Sequence, residues 1–188
     1  MEGNKNQAEK IKFRIKRIIR YCVAFVSGII LLVLCYWAYT FYTISANSLF
    51  ADNYIPYKVE KLDSGSGNKH SDIEKAYRES NFAKVIQLNA AAPLFPRDIL
   101  LTGLAFLETD NLSKAISSFQ VVLADADKTK STLLTDEAEY YLALAFLKNR
   151  DYDQAIELMI RIHDNPSHAY HGKFSRSDIR RVKMLKWR

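Results

Sequence analysis

Three histidines near the C-terminus are the residues whose type and spacing could bind a metal. His163, His168 and His171 lie close together beside Asp164, and imidazole nitrogens and carboxylate oxygens are both zinc ligands. A zinc site normally has four ligands at defined spacing, but here no cysteine and no second spaced pair completes the set. His168 and His171 also follow Pro166, which predicts irregular chain. We therefore predict structural or solvated histidines and no metal site.

Motifs for covalent or acid–base catalysis do not occur in the sequence. There is no nucleophile motif, no glycine-rich phosphate loop and no pair of catalytic carboxylates. Asp151 and Asp153 are closely spaced, but they suit the first turn of a helix, where the helix dipole favours negative side chains. The sequence predicts a protein that is not an enzyme, with no cofactor and no small-molecule substrate.

A long apolar run occupies residues 21–42, and no charged residue occurs between Arg20 and Asp52. About 20 apolar residues are enough to cross a bilayer as a helix, and aromatic residues gather at the C-terminal end of the run, as at a membrane interface. A cleaved signal peptide has a shorter apolar region, about 7–15 residues, and a small-residue cleavage site, which Ile44-Ser45-Ala46 matches poorly. We predict an uncleaved transmembrane helix that contacts the lipid bilayer through residues 21–42.

The charges on either side of this helix predict its orientation. Residues 1–20 contain seven basic and two acidic side chains, whereas only Lys58 and Lys61 follow the apolar run closely. The positive-inside bias places the N-terminus in the cytoplasm and residues 43–188 on the other side of the membrane. Both cysteines, Cys22 and Cys35, lie inside the span, so the exported part has no disulfide framework.

The formal net charge of +6 is unevenly distributed. Residues 51–172 carry 13 basic and 18 acidic side chains, whereas residues 173–188 carry seven basic and one acidic. The two basic ends lie on opposite sides of the predicted membrane and cannot form one patch. We interpret them as a lipid-facing flank and a capping helix, and predict no nucleic-acid binding.

The sequence after the apolar run predicts a linker followed by helices. Residues 63–68 have the composition of a flexible tether, and Ser71-Asp72-Ile73-Glu74 resembles a capping box that opens a helix. No segment shows the alternation of a strand. The hydrophobic period predicts helices at 71–79, 82–91, 97–108, 111–124, 135–148 and 151–163, with turns at Ser80-Asn81, Asp110-Asn111 and Asn149-Arg150.

The sequence also predicts a separator between two hairpins and a last helix. A stretch rich in Lys, Thr and Ser at 125–132 separates the second hairpin from the third. Ser177-Asp178 can cap a last helix running to Trp187, and terminal hairpins of a helical stack need such a cap.

The tetrapeptide Leu104-Ala105-Phe106-Leu107 recurs unchanged as Leu144-Ala145-Phe146-Leu147, and each copy is followed eight residues later by Ala-Ile. An internal sequence repeat of this kind predicts stacked copies of one supersecondary unit. On these residues the chain resembles the tetratricopeptide repeat (TPR), a 34-residue helix-turn-helix. The repeats are imperfect, because the spacing is 30 from Phe82 to Leu112 and 40 from Leu112 to Tyr152. The resemblance covers roughly residues 70–166, and the first hairpin is the weakest match.

The resemblance implies a short TPR-like stack of about three helical hairpins. With the apolar run and the last predicted helix, the sequence predicts an all-α fold in which an N-terminal transmembrane helix precedes this stack and a C-terminal helix caps it. The resemblance also implies which residues let the helices cross closely or fill the space between hairpins. These repeat-packing residues are Gly103, Phe106, Ala115, Phe119, Ala143, Phe146 and Ala155.

The first helices of stacked hairpins line a concave side, and the repeat register points a set of apolar side chains there. The candidate groove residues are Tyr77, Leu100, Leu104, Leu107, Tyr140, Leu144 and Leu147. They could bind a partner peptide or helix, or they could be core residues. In a third alternative the chain's own Tyr54-Ile55-Pro56-Tyr57, or its C-terminal helix, fills the groove.

The layout also resembles small membrane-anchored repeat proteins of Bacteroidetes-type bacteria, which implies an inner (cell) membrane location with the repeat domain in the periplasm. The predicted segments are a basic cytoplasmic segment (1–20), the transmembrane helix (21–42), a linker (43–70), the repeat domain (71–166) and a basic tail with a capping helix (167–188). The predicted function is a protein–protein interaction adaptor or scaffold with an unidentified protein or peptide partner. Two alternatives are an architectural subunit that associates through its span and an organelle import-type receptor with a cytosolic repeat domain.

Overall fold

The computed structural model describes residues 2–59, 72–89, 95–130, 132 and 134–187, with side chains from Arg20 onward except that of Thr40. Within these ranges every regular element is an α-helix. The chain forms two units, Met1–Ile44 and Ser45–Arg188. The all-helical class is therefore confirmed.

The first unit is one helix, α1 (Glu2–Thr43). Its segment Arg20–Thr43 is 24 residues long and apolar enough to cross a membrane. At 1.5 Å per residue this segment spans about 36 Å, somewhat more than the ~30 Å hydrocarbon core of a bilayer. Its apolar side chains are exposed, as those of a lipid-facing helix would be.

The second unit contains α2 (Ala46–Asn53) and then seven helices that follow one another in packing as well as in sequence. Three helical hairpins make up most of the unit, and the last helix packs against α8 and α2. The helices are α3 (Asp72–Arg78), α4 (Phe82–Asn89), α5 (Pro96–Glu108), α6 (Leu112–Thr129), α7 (Thr135–Lys148), α8 (Tyr152–Asp164) and α9 (Arg176–Lys186).

The three hairpin turns have the same backbone geometry. Each contains one residue with positive φ: Ser80 (54°), Asp110 (63°) and Arg150 (66°). The amide of the next residue donates a hydrogen bond to the carbonyl five residues earlier, and this bond closes a Schellman motif. The three bonds are Asn81 to Ala76 (2.9 Å), Asn111 to Phe106 (2.8 Å) and Asp151 to Phe146 (2.9 Å). The predicted turns are thus confirmed, and one turn type has been used three times.

The repeat-packing residues of the second and third hairpins all lie in the core. Ala115, Phe119, Ala143 and Ala155 are fully buried, and Phe106 and Phe146 nearly so. Gly103 allows a close approach of α5 to α6, because a Cβ added there would lie 2.7 Å from Cε1 of Phe119. These small residues allow the paired helices to pack at short range.

The helix boundaries depart from the sequence predictions at three places. α6 runs to Thr129, through the stretch predicted as a separator, because Ala126 continues the buried stripe of Phe119 and Val122. The last helix is capped by Ser175, not Ser177, since Asp178 stands three residues after Ser175 and completes the capping box. Trp187 is 85% exposed and does not extend the apolar side of α9.

The predicted linker is the largest departure. Residues 46–53 form α2 and residues 54–59 continue it as non-helical chain, and both belong to the second unit. The predicted tether at 63–68 and the capping serine, Ser71, lie outside the described residues. The segment after the apolar run is therefore structured at least as far as Val59.

Gly103→Ala tests the close approach of α5 and α6. An alanine in an uncrowded helix interior stabilises by about 0.5–1 kcal/mol relative to glycine, but the clash with Phe119 should instead lower the free energy of unfolding by about 1–3 kcal/mol. Denaturant unfolding of the detergent-solubilised chain, followed by circular dichroism, measures the change. In a Phe119→Leu background the same substitution should cost less, because the shorter side chain makes room. A stabilising Gly103→Ala would contradict this packing.

Candidate functional site

The seven candidate groove residues are buried in the structure. Leu100, Leu104, Leu107, Tyr140, Leu144 and Leu147 are at most 1% exposed, and Tyr77 is 8% exposed. A partner could therefore reach them only if other parts of the domain moved away. Their role in partner binding stays a prediction, and their place in the resting structure is the core.

The chain's own residues 46–59, which we call the strap, lie against the first helices of the hairpins. The helical part, α2, packs against α7 and α9, and its Leu49 is fully buried. Asn53 is the last residue of α2, and its side-chain amide donates from Nδ2 to the Leu49 carbonyl at 2.9 Å. Of the chain's own two segments that could fill the groove, the one around Tyr54-Ile55-Pro56-Tyr57 contacts the candidate groove residues Tyr77 and Tyr140.

Two adjacent tyrosines of α7 hold the main chain of the strap. The Tyr140 hydroxyl donates to the carbonyl of Asn53, and the Tyr141 hydroxyl donates to the carbonyl of Ile55 at 2.8 Å. Backbone carbonyls outside regular structure need donors, since an unpaired one that is buried costs free energy. Tyrosine supplies such a donor at the end of a large apolar ring. This mode of contact depends on the backbone and not on the identity of Asn53 or Ile55.

The aromatic side chains of the strap fit between aromatic rings of the hairpins. Tyr54 lies edge-on to Tyr141 with ring centroids 6.3 Å apart, and its hydroxyl hydrogen-bonds to Glu108 at the end of α5. Tyr57 contacts Tyr141 at 6.1 Å and Tyr77 of α3 at 6.5 Å. Such edge-to-face pairs add about 0.5–1.5 kcal/mol each beyond area burial. Through two side chains the strap reaches the first helix of every hairpin.

A second aromatic layer supports the same two tyrosines from the C-terminal side. The ring of Tyr170 stacks on Tyr140 with centroids 4.1 Å apart and planes 10° apart. Phe174, fully buried, lies 5.3 Å from the same ring. The loop between α8 and α9 thus fixes the orientation of Tyr140, whose hydroxyl holds the strap.

Burial raises the pKa values of the tyrosines that lie around the strap. It raises the pKa of Tyr140 and of Tyr141 far above the usual value, because the phenolate would lose its hydration. The pKa of Tyr54 is raised by burial and further by its hydrogen bond to Glu108. Burial, with the nearby Glu137 carboxylate, raises the pKa of Tyr170 to about 12. All four hydroxyls are therefore neutral at physiological pH, and those of Tyr54, Tyr140 and Tyr141 donate hydrogen bonds.

The histidines considered for metal binding have structural contacts. His168 is 4% exposed, accepts a hydrogen bond at Nδ1 from the Tyr170 amide, and directs Nε2 towards Asp136 and Glu139 at 3.6 and 3.4 Å. His163 donates from Nδ1 to the carbonyl of Phe174 at 2.9 Å. Among the described residues no group of three or more His, Cys, Asp or Glu side chains is placed to hold a metal ion. These histidines position the loop that supports Tyr140.

Tyr141, Asn53 and Glu108 were missed by the sequence reasoning. In the repeat register Tyr141 occupies the position of Leu101 in the preceding hairpin. An aromatic residue with a polar tip where the other copy has leucine is a signal that a hydroxyl is required there. The partners of that hydroxyl, 86 residues away in sequence, leave no trace in local periodicity.

The geometry supports non-covalent binding of an extended polypeptide: two hydroxyl donors for main-chain carbonyls and aromatic gaps for tyrosine rings. No protein-family model, curated protein or solved structure matches the chain. The functional interpretation therefore rests on the residues of the groove and the strap.

The raised tyrosine pKa values predict alkaline loss of stability. The unfolded chain ionises its tyrosines near pH 10, before the folded one does. The tyrosine contribution to the free energy of unfolding should therefore be constant below about pH 9 and fall above about pH 10, by about 1.4 kcal/mol per pH unit for each fully buried tyrosine. Tyr141→Phe should lose about 1 kcal/mol at neutral pH with its hydrogen bond, and should show a shallower alkaline decline. Urea unfolding at several pH values measures both effects.

Tyr152→Phe on α8 is the control, because Tyr152 is not one of the buried tyrosines around the strap. If the wild-type and Tyr141→Phe stability curves run parallel above pH 10, the hydroxyl of Tyr141 is not buried as described.

Proposed function

We propose that the chain is a single-pass membrane protein whose helical hairpins form a TPR-like stack and act as a protein-interaction adaptor or scaffold, without catalysis. The observation that carries this proposal is the pair of tyrosine hydroxyls, Tyr140 and Tyr141, which donate to the main-chain carbonyls of Asn53 at the end of α2 and Ile55 just beyond it. A surface that binds backbone carbonyls and inserts aromatic side chains is a polypeptide-binding surface. Its occupant at rest is the strap.

The partner that fits this groove is a protein segment with the chemistry of the strap. It would be extended, with tyrosine or a similar aromatic residue at two positions three residues apart, as Tyr54 and Tyr57 are. The strap competes with it at a high effective concentration, on the order of millimolar for a short tether. Only a partner that binds well or is held nearby displaces the strap, and this requirement makes the adaptor selective.

The proposed location is the periplasmic side of a bacterial inner membrane. It is supported by the basic residues 1–20 and by the apolar segment Arg20–Thr43. Acidic side chains outnumber basic ones between residues 51 and 172, and this excess favours the approach of basic partners.

The burial of every candidate groove residue also favours the architectural alternative, in which the strapped domain is a rigid spacer and the partner contact lies elsewhere. Under that alternative the strap is a permanent part of the core. The two functions differ in whether the groove accepts a second copy of the strap sequence.

A labelled peptide of residues 46–59, added to the full chain in detergent, distinguishes the adaptor function from the architectural one. Tyr54→Ala/Tyr57→Ala in the chain weakens its own strap, so this variant should bind the wild-type peptide at least about tenfold more tightly than the unmodified chain does. Fluorescence anisotropy measures the affinity. Adding Tyr140→Phe and Tyr141→Phe to the weakened chain should reduce binding again, because the carbonyl donors are lost.

The matched control is the same peptide with alanine at both tyrosine positions, which should bind weakly to every chain. Circular dichroism establishes that each variant is folded. If the folded, weakened chain shows no saturable binding, or binds both peptides equally, the adaptor proposal fails and the architectural function stands.

Cysteine labelling tests the orientation. Ser117→Cys lies on the exposed face of α6 and should react with a membrane-impermeant maleimide in spheroplasts, whereas Gln7→Cys in the basic segment should react only after permeabilisation. The reverse pattern would place the repeat domain in the cytoplasm, as in an import-type receptor. Both variants are made in a chain with Cys22 and Cys35 replaced by serine.

A further inference from the structure

A cleft between α8 and α9 lies apart from the strap and has a volume of about 610 Å³. Clefts of about 300–1,000 Å³ are the usual size for small-ligand sites. Ile160 and Ile179 form its apolar part, and its polar lining consists of His163, Asp164, Arg176, Arg180 and Lys183.

The basic residues of α9 divide into two groups. Arg181 pairs with Asp52 and Asp178, at 3.6 and 3.7 Å, and Lys186 pairs with Asp153 at 2.5 Å. These pairs attach α9 to α2 and α8. The second group, Arg176, Arg180 and Lys183, lines the cleft.

The cleft group is a single stripe of positive charge. Its members are spaced i, i+4, i+7 along α9, which places them on one helix face. Within the described part of the chain none of the three forms an ion pair. Like charges at such spacing destabilise a helix slightly, and the attachment of α9 does not require them. An anion bound in the cleft would remove this repulsion.

Three side chains of the cleft are held by contacts of their own, whereas Arg176 and Lys183 are exposed. The His163 ring is held by its hydrogen bond to the carbonyl of Phe174, a fully buried residue. Ile179 is 6% exposed, so the turn of α9 between Arg176 and Arg180 is anchored in the core. The Nε of Arg180 donates to the Arg176 carbonyl at 3.3 Å, which leaves its two terminal nitrogens available to a ligand.

We propose that this cleft binds a phosphate-bearing anion with an apolar substituent. Two guanidinium groups can each bind phosphate oxygens with a two-pronged geometry, and Lys183 adds a third positive charge. Ile160 and Ile179 would contact the apolar part. Asp164, on the rim, opposes the anion and so weakens binding. The phosphate can come from a lipid headgroup or from a free phosphate ester, which share this chemistry.

The test uses the full chain in phosphatidylcholine nanodiscs, titrated by calorimetry with inorganic phosphate and with hexyl phosphate. Saturable binding is expected, tighter for hexyl phosphate because of its apolar chain. Arg180→Gln should weaken binding of both by about tenfold, the equivalent of one lost charged hydrogen bond. Asp164→Asn should strengthen it several-fold, because a like charge is removed.

Lys186→Gln is the matched control: it removes the same charge from the same helix, on the side that pairs with Asp153. An unchanged affinity supports the cleft, whereas a loss equal to that of Arg180→Gln overturns it in favour of diffuse attraction. Failure of both phosphates to bind also overturns the proposal, and binding of an oligoglutamate peptide without phosphate binding replaces it with an acidic protein segment.

Phosphatidylglycerol nanodiscs then identify the source. A reduced apparent affinity for hexyl phosphate supports the proposal with lipid headgroups as the natural ligand, because they compete. An unchanged affinity supports it with a free phosphate ester as the ligand. Neither result depends on whether the strap leaves its groove, so this site and the adaptor function stand or fall separately.

Discussion

The carbonyl groups at the end of α2 and just beyond it must find hydrogen-bond donors inside a helical domain, and the position of the strap depends on those donors. Inside a helix the backbone groups pair with one another, but the last four carbonyls have no partner within the helix. The carbonyls of Asn53 and Ile55 instead rely on Tyr140 and Tyr141. These two hydroxyls give a reason for the pair of tyrosines in α7 at the positions where α5 carries Leu100 and Leu101.

The support of these tyrosines involves residues far apart in the chain. Tyr170 and Phe174 pack on Tyr140 from the loop after α8, and His168 contacts α7 carboxylates to hold that loop. His163 and His168, two of the histidines considered for metal binding, thus hold the loop whose rings pack on Tyr140.

Local patterns were enough to find the hairpins, because α5 and α7 begin and end within one residue of the predicted bounds and all three turns lie where the polar dipeptides are. The same patterns failed where a long-range contact decides the structure. Residues 46–59 have no strong period of their own, and they are ordered by tyrosines more than 80 positions later. Ser175 could have been recognised as the cap of α9 from Asp178 three residues on, whereas the length of α6 depends on a burial site for Ala126 that only the packed domain provides.

The strap also constrains the order in which the parts of the domain can pack together during synthesis. Contacts inside and between neighbouring hairpins are local, and local helical folds form fast. The strap contacts join residues 86 and 87 positions apart, so the strap can dock only after the start of α7 has been made. At ~5–20 residues per second, synthesis of the intervening chain takes roughly 4 to 17 seconds. For that interval Tyr140 and Tyr141 do not yet exist, so the carbonyls of Asn53 and Ile55 must take their hydrogen bonds from water, and the docking of residues 46–59 waits for the third hairpin.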